Sequence, residues 1–89
     1  MDMFIHYTAL PADMTLEEVV EGLNRAMDDG GAVNDVVATE KGGRIDMDLE
    51  EDFHNPKLAQ GAVKSFVMRV GFPQDTIIEL GGMKINAYY

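Results

Sequence analysis

Residues 3–10 alternate in the way that a β-strand in the middle of a sheet requires. Strand geometry places odd-numbered residues on one face and even-numbered residues on the other. Both rows are largely apolar, with Met3 and Ile5 in one and Phe4 in the other. Because an edge strand normally has one polar row of side chains, this pattern predicts a central strand of the sheet that ends before Pro11.

A helix that starts at Thr15 has the clearest signal in the sequence. Thr15 and Glu18 form a capping box, in which each side chain can hydrogen-bond the backbone N–H of the other residue. Gly30 and Gly31 end the helix. Apolar residues recur at the spacing of one helix face; they are Leu16, Val19, Val20, Leu23, Ala26 and Met27.

Residues 33–53 predict a β-hairpin that turns at Gly42 and Gly43. A Gly-Gly pair suits the positive φ angles of a two-residue type I′ turn. Counting outward from this turn pairs Glu40 with Ile45, Thr39 with Asp46, Ala38 with Met47, Val37 with Asp48 and Val36 with Leu49. The register places apolar side chains on one face of the hairpin and acidic side chains on the other.

A second helix and a second hairpin complete the chain. Asn55 and Pro56 are suited to the N-cap and the first helical position, and Gly71 ends the helix. The hairpin over residues 76–89 turns at a second Gly-Gly pair, residues 81–82. The element order is therefore β-α-β-β-α-β plus a C-terminal strand. It predicts one α+β domain over residues 1–89, a ferredoxin-like split β-α-β fold with two helices on one face of an antiparallel sheet.

The charge of the chain is negative and unevenly distributed. Sixteen acidic residues against seven Lys and Arg give the 89 residues a net charge of −9. Residues 1–52 have a net charge of −11, whereas residues 53–89 have a net charge of +2. Nucleic acids and anionic membranes bind positively charged protein surfaces, so this balance argues against direct binding of either.

Further features of the composition narrow the class of protein. There is no cysteine, which excludes disulfides, thiolate zinc sites and thiol nucleophiles. The first residues lack the basic region and long apolar run of a signal peptide, and no segment approaches the ~18 apolar residues of a membrane span. We expect a cytoplasmic protein.

A row of acids on the second strand of the first hairpin is the most distinctive feature of the sequence. Acids alternate there with apolar residues, so they share one face at a spacing of about 6.6 Å. The expected partner-binding residues are Asp46, Asp48, Glu50 and Asp52 of this row, Asp35 of the neighbouring strand, and Glu17, Glu21 and Asp28 of the first helix. Their density approaches that of a nucleic-acid backbone. A solvated acidic face that only keeps the protein soluble, and a cation site, remain as alternatives.

The sequence offers weak candidates for metal binding. Asp52 and His54, with Glu50 and Glu51 beside them, are residue types that bind divalent metals. No recognised loop motif accompanies them, because there is no second His at helical spacing and no glycine at an EF-hand turn position. We therefore expect no metal and no cofactor.

Catalytic chemistry is equally poorly supported. If the first strand pairs with the acidic one, His6 would lie near Asp46 or Asp48 and act as a local pH sensor; the alternative is an ordinary surface histidine. Ser65 is the only serine, and no histidine or acid lies in evident register with it. Carboxylates on an open sheet lack the apolar pocket that general acid–base catalysis requires. The sequence therefore predicts no enzyme.

These observations favour a small acidic protein-interaction module. The expected function is inhibition of a partner protein, by docking on the basic surface where that partner binds nucleic acid, as small phage-encoded inhibitors of host defence do. The alternative is a ferredoxin-like regulatory or ligand-binding domain that forms a homodimer through its edge strands. Residues that either close the core or form an apolar edge are Met83, Ile85, Tyr88 and Tyr89.

Overall fold

The chain folds as an α+β structure with one antiparallel sheet and two helices. The computed structural model describes residues 2–27, 31–39, 42–49 and 56–88. The elements are β1 (Asp2–Tyr7), α1 (Leu16–Met27), β2 (Gly31–Thr39), β3 (Gly42–Leu49), α2 (Pro56–Val70), β4 (Ile77–Leu80) and β5 (Met83–Asn86). The strand order across the sheet is β2-β3-β1-β4-β5, and each neighbouring pair is antiparallel. The predicted class and element order are confirmed, and the sheet is open at β2 and β5.

The core lies between one face of the sheet and both helices. Met3, Ile5 and Tyr7 of β1 are buried in it, while Phe4 and His6 point to the other side. The predicted alternation and central position of β1 are confirmed, although the strand ends at Tyr7, three residues earlier than predicted. The buried core residues that the other helices and strands supply are Val19, Leu23, Met27, Ile45, Met47, Leu49, Val63, Phe66, Val67 and Ile78.

The helix ends follow the predicted signals. The Thr15 backbone N–H donates to Glu18 Oε1 at 3.0 Å, and the Glu18 N–H donates to Thr15 Oγ1 at 3.2 Å, so the capping box is confirmed. Helix α2 begins at the predicted Pro56 and ends with two hydrogen bonds to the Val67 carbonyl, from the N–H groups of Gly71 and Phe72. The predicted N-cap Asn55 and the predicted stop signal Gly30 lie outside the described residues; the last described residue of α1 is Met27, and Gly31 begins β2.

The two hairpins have different outcomes. In the second, Gly81 and Gly82 have φ angles of +60° and +83°, and Glu79 pairs with Lys84, as predicted. In the first, the predicted register is wrong by four residues: Val36 pairs with Ile45, and Thr39 pairs with Gly42. Gly42 and Gly43 therefore belong to β3 and do not form the turn, and residues 40–41 between the two strands lie outside the described residues.

Close packing explains why these glycines are in the strand. A Cβ atom on Gly42 would clash with the Tyr7 carbonyl oxygen, and one on Gly43 would lie 2.6 Å from the Tyr7 hydroxyl oxygen. The glycines therefore allow β3 to approach the end of β1. Because the register error is an even number of residues, the predicted division into an apolar and an acidic face remains correct for Val36, Asp46 and Met47.

A bulge in β2 lets two valines three residues apart face the core. Val33 pairs with Met47, but Asp35 pairs with Asp46, so the register shifts between Val33 and Asp35. Val33 and Val36 both pack against the core. Without the bulge, period-two alternation would turn one of these valines outward.

Candidate functional site: the open face of the sheet

The side of the sheet that faces away from the helices carries the candidate site, which we call the open face. A residue belongs to the open face if it alternates with buried residues along its strand, or if it pairs directly with an outward-facing residue of the neighbouring strand. Its members are Asp2, Phe4 and His6 of β1, Asp35 and Val37 of β2, Arg44, Asp46 and Asp48 of β3, Ile77 and Glu79 of β4, and Lys84 of β5. No helix or strand of the described chain packs against it.

Carboxylates from four adjacent strands share this face. Asp2 pairs with Asp48 between β1 and β3, and Asp35 pairs with Asp46 between β2 and β3, so like charges lie directly opposite each other twice. Glu79 adds a fifth carboxylate from β4. Like charges directly opposite across strands oppose folding. Each of these two pairs therefore carries a repulsion that opposes the pairing of the strands.

Arg44 partly compensates the negative charge at the centre. Its Nε and a terminal nitrogen donate to the two carboxylate oxygens of Asp46 at 2.6 and 3.1 Å, and its guanidinium lies 5.4 Å from the centre of the Phe4 ring. The hydrogen bond and charge of Asp46 raise the pKa of Arg44, and the charges of Asp35 and Glu79 raise it further. Arg44 thus lies in the field of three carboxylates from three strands.

His6 lies beside a different acid from the one predicted. Its Nε2 is 3.0 Å from Glu79 Oε1 on β4. Its cross-strand partner on β3 is Arg44 rather than Asp46 or Asp48. The prediction that β1 pairs with the acidic strand is right, but His6 is level with the basic end of β3. The acidic neighbour comes from the opposite side, because β1 lies between β3 and β4.

Apolar side chains lie among the charges. Phe4 is half-buried at the centre of the face, with its ring 6.4 Å from the His6 ring. Val37 is 42% exposed on β2, and Ile77 is half-buried on β4. An aromatic group surrounded by charged side chains resembles the arrangement of protein–protein interfaces, in which an apolar centre has a polar rim.

The predicted site residues fall into three groups. Asp35, Asp46 and Asp48 come together on the open face. Glu17 and Glu21 are exposed on α1, in the helix layer on the other side of the sheet, so they do not extend the same surface. Asp28, Glu50 and Asp52 lie outside the described residues, as does the proposed metal cluster around His54.

Sequence reasoning missed several members of the face. Asp2 and Glu79 join it because β1 pairs with β3 on one side and β4 on the other. The alternation of β1 already placed Phe4 and His6 in its second row. The strand order was the missing information, since only it shows that this row is flanked by acids of both neighbours.

Two kinds of site were sought among the described residues, a cluster of metal ligands and a helix that could span a membrane. Within them, no three or more His, Asp or Glu side chains are grouped so that they could hold a metal ion. Neither α1 nor α2 is long and apolar enough to cross a bilayer.

Comparison with protein-family models, with curated proteins and with solved structures gave no match. The geometry and charge of the open face are consequently the features that bear on function.

Proposed function

We propose that this protein is a small, non-enzymatic interaction module that docks through its open face on a basic surface of a partner protein. The five carboxylates on four adjacent strands, with two pairs of aspartates directly opposite each other, carry this proposal. Such pairs oppose folding, and a basic partner would relieve their repulsion. The partner chemistry that fits is a surface rich in Lys and Arg.

The spacing of the carboxylates supports competition with nucleic acid. Adjacent strands lie about 4.8 Å apart, and two residues along a strand span about 6.6 Å. A nucleic-acid strand has one charge for about every 3.4 Å of its axis. Acids on neighbouring strands therefore present charge at a comparable density, and the protein would act as an inhibitor by occupying a nucleic-acid-binding groove.

We also propose a ferredoxin-like assignment for most of the chain. The segment from β1 to β4 has the order of a split β-α-β unit, and β5 extends the sheet beyond β4. This scaffold leaves one sheet face free of helices, which is what the docking proposal requires.

The alternative is a homodimer through the edge strands β2 or β5, and two features of β2 argue against pairing at that edge. Asp35 Oδ1 accepts the Val36 N–H at 2.8 Å, and Asn24 Oδ1 accepts the Val33 N–H at 2.8 Å. The bulge further disrupts the same strand. Side-chain capping and bulges are how natural sheets protect an edge from pairing, so we favour docking by the open face.

The test compares two variants of equal net charge. Asp35→Asn/Asp48→Asn removes two charges from the open face, and Glu17→Gln/Glu21→Gln removes two from the helix layer. Wild type and each variant are used to capture partners from a lysate of cells in which the protein naturally occurs. The captured complex is then challenged with DNA and RNA.

We expect wild type and the helix variant to retain a basic partner that nucleic acid displaces, and the open-face variant to lose it. A partner that nucleic acid leaves bound would rule out competition. Equal loss with both variants would rule out the open face as the site.

A further inference from the structure

A second site lies at the end of β1, away from the open face. The chain after β1, the start of α1 and the adjoining ends of β2 and β3 line an open cleft of about 280 Å³. Leu10, Leu16 and Ala38 supply apolar walls, and Tyr7, Thr8 and Thr39 also line it. Ligand pockets usually have volumes of about 300–1,000 Å³, so this cleft matches one side chain better than a larger molecule.

A carboxylate that does not itself line the cleft is held by one of the lining residues, Thr8. The Thr8 hydroxyl lies 2.9 and 3.1 Å from the two carboxylate oxygens of Asp75 and donates to them. Asp75 is therefore held beside a lining residue although it is 67 positions away in sequence. One hydroxyl proton leaves acceptor capacity on both oxygens for a further donor.

We propose that the cleft binds an arginine side chain of a partner protein, with the alkyl stem against Leu10 and Leu16 and the guanidinium on Asp75. Arginine fits because its stem buries against apolar surface while its planar head donates two parallel hydrogen bonds to a carboxylate. The negative charge of the chain complements a basic partner. The cleft shares no residue with the open face and does not depend on the function proposed for it.

The test uses n-butylguanidinium chloride as the probe and n-butylurea as its uncharged control. Amide shifts of the isotopically labelled protein are followed by NMR at constant ionic strength. We expect butylguanidinium to move the amides of Thr8, Leu16 and Thr39 saturably, with a millimolar dissociation constant, as suits a ligand of this size. Butylurea should bind at least about three-fold more weakly, because it lacks the charge.

Two single variants separate the cleft from general charge attraction. Asp75→Asn keeps an oxygen for Thr8 but removes the charge, and should weaken butylguanidinium binding by about two- to five-fold. Asp48→Asn also removes one negative charge, but Asp48 lies six residues along β3 from the lining residue Gly42, about 20 Å from the cleft. This variant should leave binding unchanged.

Ala38→Leu fills the cleft and should abolish the shifts from either probe. The proposal is overturned if Asp75→Asn binds as tightly as wild type, if butylurea binds equally well, or if the shifts spread over all acidic residues. None of these results depends on the capture experiment, so the two proposals fail separately.

Discussion

At the scale of single residues, Tyr7 connects the core to the start of β3. Its side chain is 6% exposed, its ring packs edge-on against Phe72, and its hydroxyl lies where a side chain at Gly43 would be. Burial raises the pKa of the Tyr7 hydroxyl above its ordinary value, because the phenolate loses hydration in this position. The folded protein therefore favours the protonated form.

This gives a predicted pH dependence. Below a pH of about 10, Tyr7 is protonated in both folded and unfolded chains and its full contribution to stability is present. As the pH rises above this value, the unfolded chain releases the proton first, so the free energy of unfolding falls until the pH passes the folded pKa. Urea unfolding from pH 8 to pH 11 should show this fall in wild type and a smaller one in Tyr7→Phe. Identical pH slopes in the two proteins would contradict the assignment.

At the scale of secondary-structure elements, the contact between the helices depends on one glycine. A Cβ atom on Gly22 of α1 would lie 2.5 and 2.8 Å from two ring atoms of Phe66 on α2, and Phe66 is only 3% exposed. Gly61 of α2 has no atom within 4 Å of the corresponding position. The two helix glycines thus have different physical roles.

The same substitution should therefore have opposite effects at these two positions. Gly22→Ala forces a methyl group against a buried ring and should lower the free energy of unfolding by about 1–3 kcal/mol. Gly61→Ala fills open space and removes the helix penalty of glycine, which should raise it by about 0.5–1 kcal/mol. Urea unfolding measures both. If Gly22→Ala also stabilised the protein, the described helix packing would be wrong.

The hairpins show how far sequence reasoning reaches at this scale. Both have a Gly-Gly pair, and the local rule that predicts a turn holds for Gly81–Gly82 and fails for Gly42–Gly43. The difference is a long-range contact, because Gly42 and Gly43 allow β3 to approach Tyr7. Helix caps and strand faces depend on neighbours in sequence and were predictable. The register of the β2–β3 hairpin depends on contacts with a third strand, β1, and was not predictable from neighbours in sequence.

The candidate site shows the same division. The outward row of Asp46 and Asp48 follows from alternation along one strand, and it was predicted together with Asp35. The roles of Arg44 and Glu79 depend on strands that lie far apart in sequence, since Arg44 contacts Asp46 and Phe4, while Glu79 reaches His6. Pattern analysis alone identified the acids but not the cation and ring among them.

At the scale of the whole molecule, charge is distributed by layer. Among the described residues, the open face has five carboxylates against Arg44 and Lys84, and it lies opposite the helices. Helix α2 carries basic residues, including Arg69, which lies 5.8 Å from the centre of the Phe66 ring. The acids of α1 lie in the same layer as these basic residues, so we expect a basic partner to prefer the sheet side, and the interaction should weaken as salt screens it.

The most direct measurement of this central claim is an NMR titration of the labelled protein with hexalysine at low ionic strength. The account predicts that the largest amide shifts occur at Asp35, Asp46 and Asp48 and that 0.5 M NaCl abolishes them, because screening at that concentration acts within about 5 Å. Equal or larger shifts at Glu17 and Glu21 on α1 would contradict it.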